Sequence, residues 1–438
     1  MTGRSTMVGI MMAATMGLGT EAALAQQQPP LNAADSDPVK MGWMIGSPPP
    51  ADKLIQFSNG SHFAFPQTRW SFANFRRFVP TSNIWRGDSA ASPLPRAELA
   101  DIDTITFQPL GQSGTMTWAQ SLAANYTDAI VVLHKGKIVY ERYFGVMNQH
   151  ATHIAMSVTK SFFGTLGATL VAEGKLDEKA PVSQYIPELR DTAYGDATVR
   201  QVLDMTVGVK YSENYADPKA EIFDHVRAGG LVPRPPGYSG PTSFYGFLET
   251  LKKEGQHGEA FAYKTVNSDV LGWLIRRASG KTVGELLSER IWQKLGMEQD
   301  AYMLIDSEGT EFAGGGLNAA VRDLARFGEM MRLDGTHNGQ QIVPKAVVDD
   351  IRNGGRKSDF EKAGYRTLPG WSYRDMWWVS HNEHGAFMAR GVNGQAIYVD
   401  PKAEMVIARF GSHPLAANAY NDPTTLPAFD ALARHLMQ

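Results

Sequence analysis

A serine hydroxyl and a lysine amine stand three residues apart in the chain, at Ser157 and Lys160. On the first turn of a helix that spacing puts both side chains on one face, where the amine can reach the hydroxyl. A free serine hydroxyl is a poor nucleophile and needs a base to take its proton, and a desolvated lysine gives up its own proton near neutral pH and can serve. A helix opening at Ser157 adds backbone N–H groups and a positive dipole end, both of which favour the oxyanion formed when serine attacks a carbonyl. The pair alone is a sparse signal. A chain of this length holds about one or two S-x-x-K matches by chance, and the plain alternative is a solvated helix start.

Other chemistries find less support. The sequence has no cysteine, which removes disulfides, thiolate zinc sites and a cysteine nucleophile. It has no G-x-S-x-G turn of the kind that presents the serine of an α/β-hydrolase. His381 and His384 are spaced like metal ligands but stand without H-E-x-x-H or thiolates, so they read as surface or structural histidines. No metal and no cofactor is implied. A formal charge of −3 over 438 residues, with no run of like charges, argues against a nucleic-acid partner.

The elements that must position the pair are legible as periodicity. Phe162, Leu166 and Leu170 recur every four residues after Ser157 and give one apolar face, until Glu173-Gly174 stops the helix. Upstream, β-branched runs at residues 130–133 and 138–140 flank His134-Lys135-Gly136-Lys137 and predict a hairpin. Residues 317–333 have helical periodicity, and residues 387–410 alternate as two strands turning at Asp400-Pro401-Lys402. Between them, residues 176–300 mix short helical patterns with Pro-rich and Gly-rich connections. The expected fold is α/β (α+β): an antiparallel sheet flanked by helices, built from residues 97–175 and 301–438, with an inserted mainly helical subdomain at 176–300.

The segment 26–96 is rich in Pro, Ser, Asn and Trp with little periodicity, which predicts an extended arm wrapping the domain. Ahead of it, Arg4, an apolar run over residues 7–19 and then Ala23-Leu24-Ala25 read as a secretory signal peptide cut before Gln26. Export is therefore expected, to the periplasm if the host is Gram-negative. The apolar run is short of the roughly 20 residues a membrane helix needs, and nothing downstream approaches that length, so no membrane span is expected. Nothing in the sequence specifies an oligomeric state.

The text around the pair resembles the class C β-lactamase-like serine hydrolases. Met156-Ser157-Val158-Thr159-Lys160-Ser161-Phe162, then Glu173-Gly174-Lys175-Leu176-Asp177, is similar to their nucleophile helix and the loop after it. Val199-Arg200-Gln201-Val202-Leu203 is similar to their next helix. Phe261-Ala262-Tyr263-Lys264-Thr265-Val266-Asn267 resembles the stretch with their catalytic tyrosine, and Gly391-Val392-Asn393-Gly394-Gln395 falls where they place the last active-site strand. The resemblance covers residues 125–412. It implies the β-lactamase/transpeptidase-like fold, Ser157 as nucleophile, Lys160 as its base partner, and Tyr263 as the shuttle that protonates the leaving atom. Nearness to an ammonium would bias that phenol toward phenolate. The resemblance also implies an oxyanion hole made by the N–H of Ser157 and one from the late strand, Val392 or Asn393.

Departures from the family pattern narrow the activity. Lys264 and Thr265 replace the polar residue and Asn that usually follow the tyrosine, and the late strand reads Arg390-Gly391-Val392 where lactamases carry K-T-G. β-Lactam hydrolysis is accordingly not expected. Within the superfamily the chain is similar to the 6-aminohexanoate-dimer hydrolases and their esterase relatives. Tyr215, in Tyr211-Ser212-Glu213-Asn214-Tyr215, matches a second tyrosine that contacts the substrate amide there, and Tyr211 is the neighbouring candidate. The expected substrate is a small amide or ester. A carboxylesterase is one alternative, and a non-catalytic penicillin-binding-like protein that recognises peptidoglycan is another. His413 lies close after the late strands, with a packing role at least as natural as a pocket role. Trp371, Trp377 and Trp378 read as core or pocket wall.

Overall fold

A computed structural model describes residues 30–438; the signal-peptide reading falls outside them. The largest sheet has seven antiparallel strands. In sequence they are β2 (Thr127–His134), β3 (Lys137–Tyr143), β7 (Ser372–Arg374), β8 (Trp377–Val379), β9 (Phe387–Gly391), β10 (Gln395–Asp400) and β11 (Met405–Gly411). Their order in the sheet is β7-β8-β9-β10-β11-β2-β3. The late strand β11 pairs with the early β2, with Ile407 opposite Val132, so both ends of the chain close one sheet, as expected. The predicted hairpin is β2–β3.

Alternation along the strands decides where the helices go, since neighbouring residues face opposite sides. On one face, Ile397 and Val406 come within reach of Gly328 in α5 (Val321–Arg332). On the other, Tyr398 meets Phe429 of α6 (Asp422–Leu436), which also touches Trp118 of α1 (Trp118–Ala124). With both faces covered, β10 and β11 are buried throughout, and this is why they read as continuous apolar runs.

A second antiparallel sheet has the order β1-β5-β6-β4, from β1 (Thr81–Ile84), β4 (Thr152–Ile154), β5 (Ala301–Leu304) and β6 (Leu317–Ala320). Helix α2 (Val158–Ala172), with Ser157 at its N-cap, follows β4 directly. Residues 176–300 fold into short helices and turns around two longer helices, α3 (Glu221–Ala228) and α4 (Val266–Ser279).

Three expectations change. Residues 317–333 are not one helix: 317–320 form β6, because Leu317 pairs with Met303 and Asn318 with Ile154, and only then does α5 begin. The 387–410 segment is three strands, since Val392–Gly394 makes an additional turn with Asn393 at φ 61°. The arm is not simply extended. It runs through short helical turns, supplies the edge strand β1, and buries Arg69, whose Nη1 donates to Asp128 Oδ1 at 2.7 Å, to the Tyr126 carbonyl and to Ser412 Oγ. No helix among the described residues is long and apolar enough to cross a membrane.

Candidate active site

Ser157 sits on a sharp strand-to-helix junction. Met156 before it takes φ 46°, a left-handed backbone that a methionine adopts only when its surroundings enforce it. Those surroundings are β6: Ala155 N–H donates to the Leu317 carbonyl at 2.7 Å, and Leu317 N–H donates to Thr159 Oγ1 at 3.1 Å. One turn into α2, Lys160 is 1% exposed, and its Nζ donates to Ser157 Oγ at 2.8 Å and to the Gly314 carbonyl at 2.6 Å. The helical spacing therefore does bring the two together. Burial lowers the Lys160 pKa to about 8, against the opposing pull of Glu213 and Asp269, which favour its charged form.

Tyr263 joins them. The Lys160 ammonium lies over its ring, 5.0 Å from the centroid, and the ring packs on Trp378 at 5.3 Å. The expected bias toward phenolate is reversed: burial, then the charge of Glu213, push the phenol pKa well above its usual value, and the neighbouring Ser157 hydroxyl only partly counters this.

Gly391 ends β9 beside Ser157. A Cβ there would lie 2.8 Å from the Ala155 carbonyl oxygen and 3.0 Å from Ser157 N, so only glycine lets the strand approach this closely. Of the two oxyanion candidates on the following turn, Asn393 is committed elsewhere. Its N–H donates to the Ala416 carbonyl at 2.9 Å and its Nδ2 to the His413 carbonyl at 2.7 Å. That leaves Val392, next to Gly391. His413 helps hold the same turn, donating its N–H to the Asn393 carbonyl and accepting from Leu415 N–H.

Tyr215 is half-buried and its hydroxyl donates to Glu213 Oε1 at 2.8 Å. Tyr211 instead points away to His225, its hydroxyl 3.1 Å from Nδ1. Lys264 donates to the Val209 carbonyl, and Thr265 donates through N–H and Oγ1 to Glu213, at 2.8 Å each. His381 and His384 lie apart from this cluster, on Ser372 Oγ and Asp400 Oδ2. Trp377 is fully buried and donates to Thr165 Oγ1, while Trp378 lines Tyr263.

Two carboxylates that sequence reasoning passed over belong here. Glu213 links Tyr215 to the start of α4, and nothing in its spacing marks it. Asp269 had a signal: it is an acidic residue among Val266, Val270 and Trp273 on the buried side of α4, where an unpaired charge is costly.

The family model described as Beta-lactamase matches residues 119–416. The chain belongs to the β-lactamase family. It is 35% identical over 350 residues to a 6-aminohexanoate-dimer hydrolase of Paenarthrobacter ureafaciens, covering 80% of this chain and 86% of that one. A solved structure from Bacillus anthracis, also described as a 6-aminohexanoate-dimer hydrolase, superposes with a TM-score of 0.80 at 33% identity. It spans 89% of this chain and 98% of that one. A family VIII carboxylesterase shares the fold at a TM-score of 0.52 and 17% identity, covering 72% and 96% of the two chains. This member of the β-lactamase family is a serine hydrolase with the β-lactamase/transpeptidase-like fold.

Proposed function

We propose that the chain hydrolyses small linear amides of the aminohexanoate-oligomer type through an acyl-enzyme on Ser157. The observation that carries this reading is a buried lysine with a pKa of about 8 whose Nζ is 2.8 Å from the serine hydroxyl. In its neutral form Lys160 takes the Ser157 proton as Oγ attacks the amide carbon. The N–H groups of Ser157 and Val392 receive the oxyanion. When the C–N bond breaks, the departing nitrogen takes the Tyr263 proton, and Lys160 returns its proton to Tyr263. Water then attacks the ester, losing a proton to the same pair, and Ser157 recovers its own. A phenol pKa raised by burial suits this role, because the proton stays on oxygen until a basic amine develops. Because the Tyr215 hydroxyl donates to Glu213, its lone pairs are left to accept the substrate amide N–H and turn the nitrogen lone pair toward Tyr263. The similarity to the Paenarthrobacter ureafaciens 6-aminohexanoate-dimer hydrolase supports the substrate class.

The test uses the purified protein with a fluorophosphonate probe, a linear aminohexanoate dimer, a p-nitrophenyl ester and nitrocefin. Wild type should be labelled and Ser157→Ala should not; equal labelling would place the nucleophile elsewhere. Loss of one hydrogen bond in Tyr215→Phe should slow amide hydrolysis about 5- to 150-fold, a cost of about 1–3 kcal/mol, and leave the ester nearly untouched. Equal losses on both would remove Tyr215 from amide recognition. With no K-T-G strand, nitrocefin turnover should fall below that of the ester.

A further inference from the structure

Behind Lys160 lies a chain of buried polar groups that the reaction as described does not use. The Gly314 carbonyl accepts from Lys160 Nζ at 2.6 Å, and the Gly314 N–H donates at 3.3 Å to Asp269 Oδ1. Asp269 Oδ2 is 3.0 Å from His225 Nε2, with both side chains fully buried. The approach is close but not aligned as a hydrogen bond, and neither atom has another partner among the described residues. His225 Nδ1 then meets the Tyr211 hydroxyl at 3.1 Å. Aromatic rings fix the imidazole: it stacks on Phe247 at 4.9 Å and meets Phe244 and Phe312 edge-on. Gly314 is fixed as well, since a Cβ there would lie 2.3 Å from Thr265 Cγ2.

We propose that Asp269, paired with His225, is a positioning residue that holds the Gly314 carbonyl on Lys160 and sets the proton affinity of that lysine. Three features carry this. Asp269 is a carboxylate in a fully buried position, where charge is costly unless it serves or is paired. It reaches Lys160 through a single residue, Gly314, whose N–H it accepts and whose carbonyl accepts from Lys160 Nζ. Its only ionisable contact within salt-bridge distance among the described residues is His225, so the histidine is the side chain placed to modulate the negative charge that Lys160 feels. The other groups facing Lys160 are Glu213, from the loop before α3, and the Tyr263 phenol, which Arg390 of β9 also faces. The phenols of Tyr194, Tyr211 and Tyr245 face Asp269.

The inference rests on Lys160 acting as base to Ser157, and the experiment separates the two. Fluorophosphonate labelling rate is measured against pH for wild type, Asp269→Asn, His225→Leu and His225→Gln, with Ser157→Ala as control and circular dichroism to verify folding. Asn keeps an acceptor for Gly314 N–H but loses the charge that favours the ammonium, so the acidic limb should move down by about one pH unit. His225→Leu leaves the carboxylate less neutralised and should move the limb up. His225→Gln keeps a donor near Asp269 and should stay at the wild-type position. A solely structural role would lower amplitudes or stability without moving any limb, and coincident limbs overturn the proposal while leaving the acyl-enzyme reading intact. Labelling of Ser157→Ala at the wild-type rate overturns that reading instead. If Asp269→Asn does not fold, His225→Leu decides: an upward shift supports the proposal and an unmoved limb rejects it.

Discussion

Burial takes more from the charged form of Lys160 than Glu213 and Asp269 return, and the resulting pKa of about 8, against 10.5 for a free lysine, has two consequences. The first concerns rate. In the proposed mechanism only the neutral amine accepts the Ser157 proton, so kcat/KM for an ester should fall about tenfold per pH unit below pH 8 and level off above it. The second concerns stability. The folded state holds this proton less tightly than the unfolded chain, so its contribution is least favourable below pH 8 and improves as pH rises from 8 to 10.5. The full difference is about 3 kcal/mol. Lys160→Met should abolish turnover yet raise the denaturation midpoint relative to wild type at pH 7, with the gap closing by pH 10.5. A gap that does not change with pH would mean that the lysine is not desolvated in the way the fold indicates.

At the scale of elements, α2 presents Ser157 only because the helix can lie against the β7–β8 hairpin. Asp375 and Met376 turn that hairpin with φ of 47° and 63°, and the Met376 carbonyl accepts from Ser161 Oγ at 2.8 Å. At Gly164, one turn on from Lys160, a Cβ would lie 2.0 Å from the Asp375 carbonyl oxygen. That oxygen belongs to a rigid turn and cannot rotate away. Gly164→Ala should therefore push the helix off the hairpin and cost about 1–3 kcal/mol of stability. A displacement near 1 Å at Ser157 can slow the reaction about 100-fold. Gly167→Ala is the control, since its Cβ meets the end of the flexible Leu271 side chain at 2.8 Å and should cost less on both counts. Thermal midpoints and ester kcat for the pair provide the check. Two glycines inside a helix read in the sequence only as weak helix formers; the hairpin that requires the first of them is more than 200 residues away.

At the scale of the molecule, Glu141 ties three parts of the chain together. From β3 it accepts Arg322 of α5 at 2.6 and 2.9 Å, Arg96 at the end of the arm at 2.6 Å, and the Tyr143 hydroxyl at 2.5 Å. Burial alone would raise its pKa, but these donors overcome that and bring it to about 2. A carboxylate whose folded pKa lies below its unfolded value of 4.5 stabilises the fold fully above pH 4.5 and loses that contribution as pH falls toward 2. The group is worth about 3 kcal/mol in that window. Glu141→Gln should be less stable than wild type at pH 7, with the difference shrinking as pH falls from 4.5 to 2 in acid denaturation monitored by circular dichroism. A constant difference would show that the loss lies in packing and not in the ionised carboxylate.

Local pattern in the sequence was enough to place Ser157 and Lys160 on one helix face, to find the β2–β3 hairpin and to anticipate a sheet closed by both ends of the chain. Each of these depends on residues a few positions apart or on a strong apolar period. Family resemblance added Tyr263 and Tyr215. What local pattern could not supply was any property set by residues distant in sequence. Residues 317–320 form a strand and not a helix because Met303 offers a partner to Leu317 and Ile154 one to Asn318. The Tyr263 phenol keeps its proton because the fold buries it and brings Glu213 close. The Asn393 N–H is taken up by the Ala416 carbonyl. Asp269 reaches Lys160 through a glycine 45 residues further on. Hydrogen bonding and desolvation act at a few ångströms, and only the folded chain determines which groups come that close.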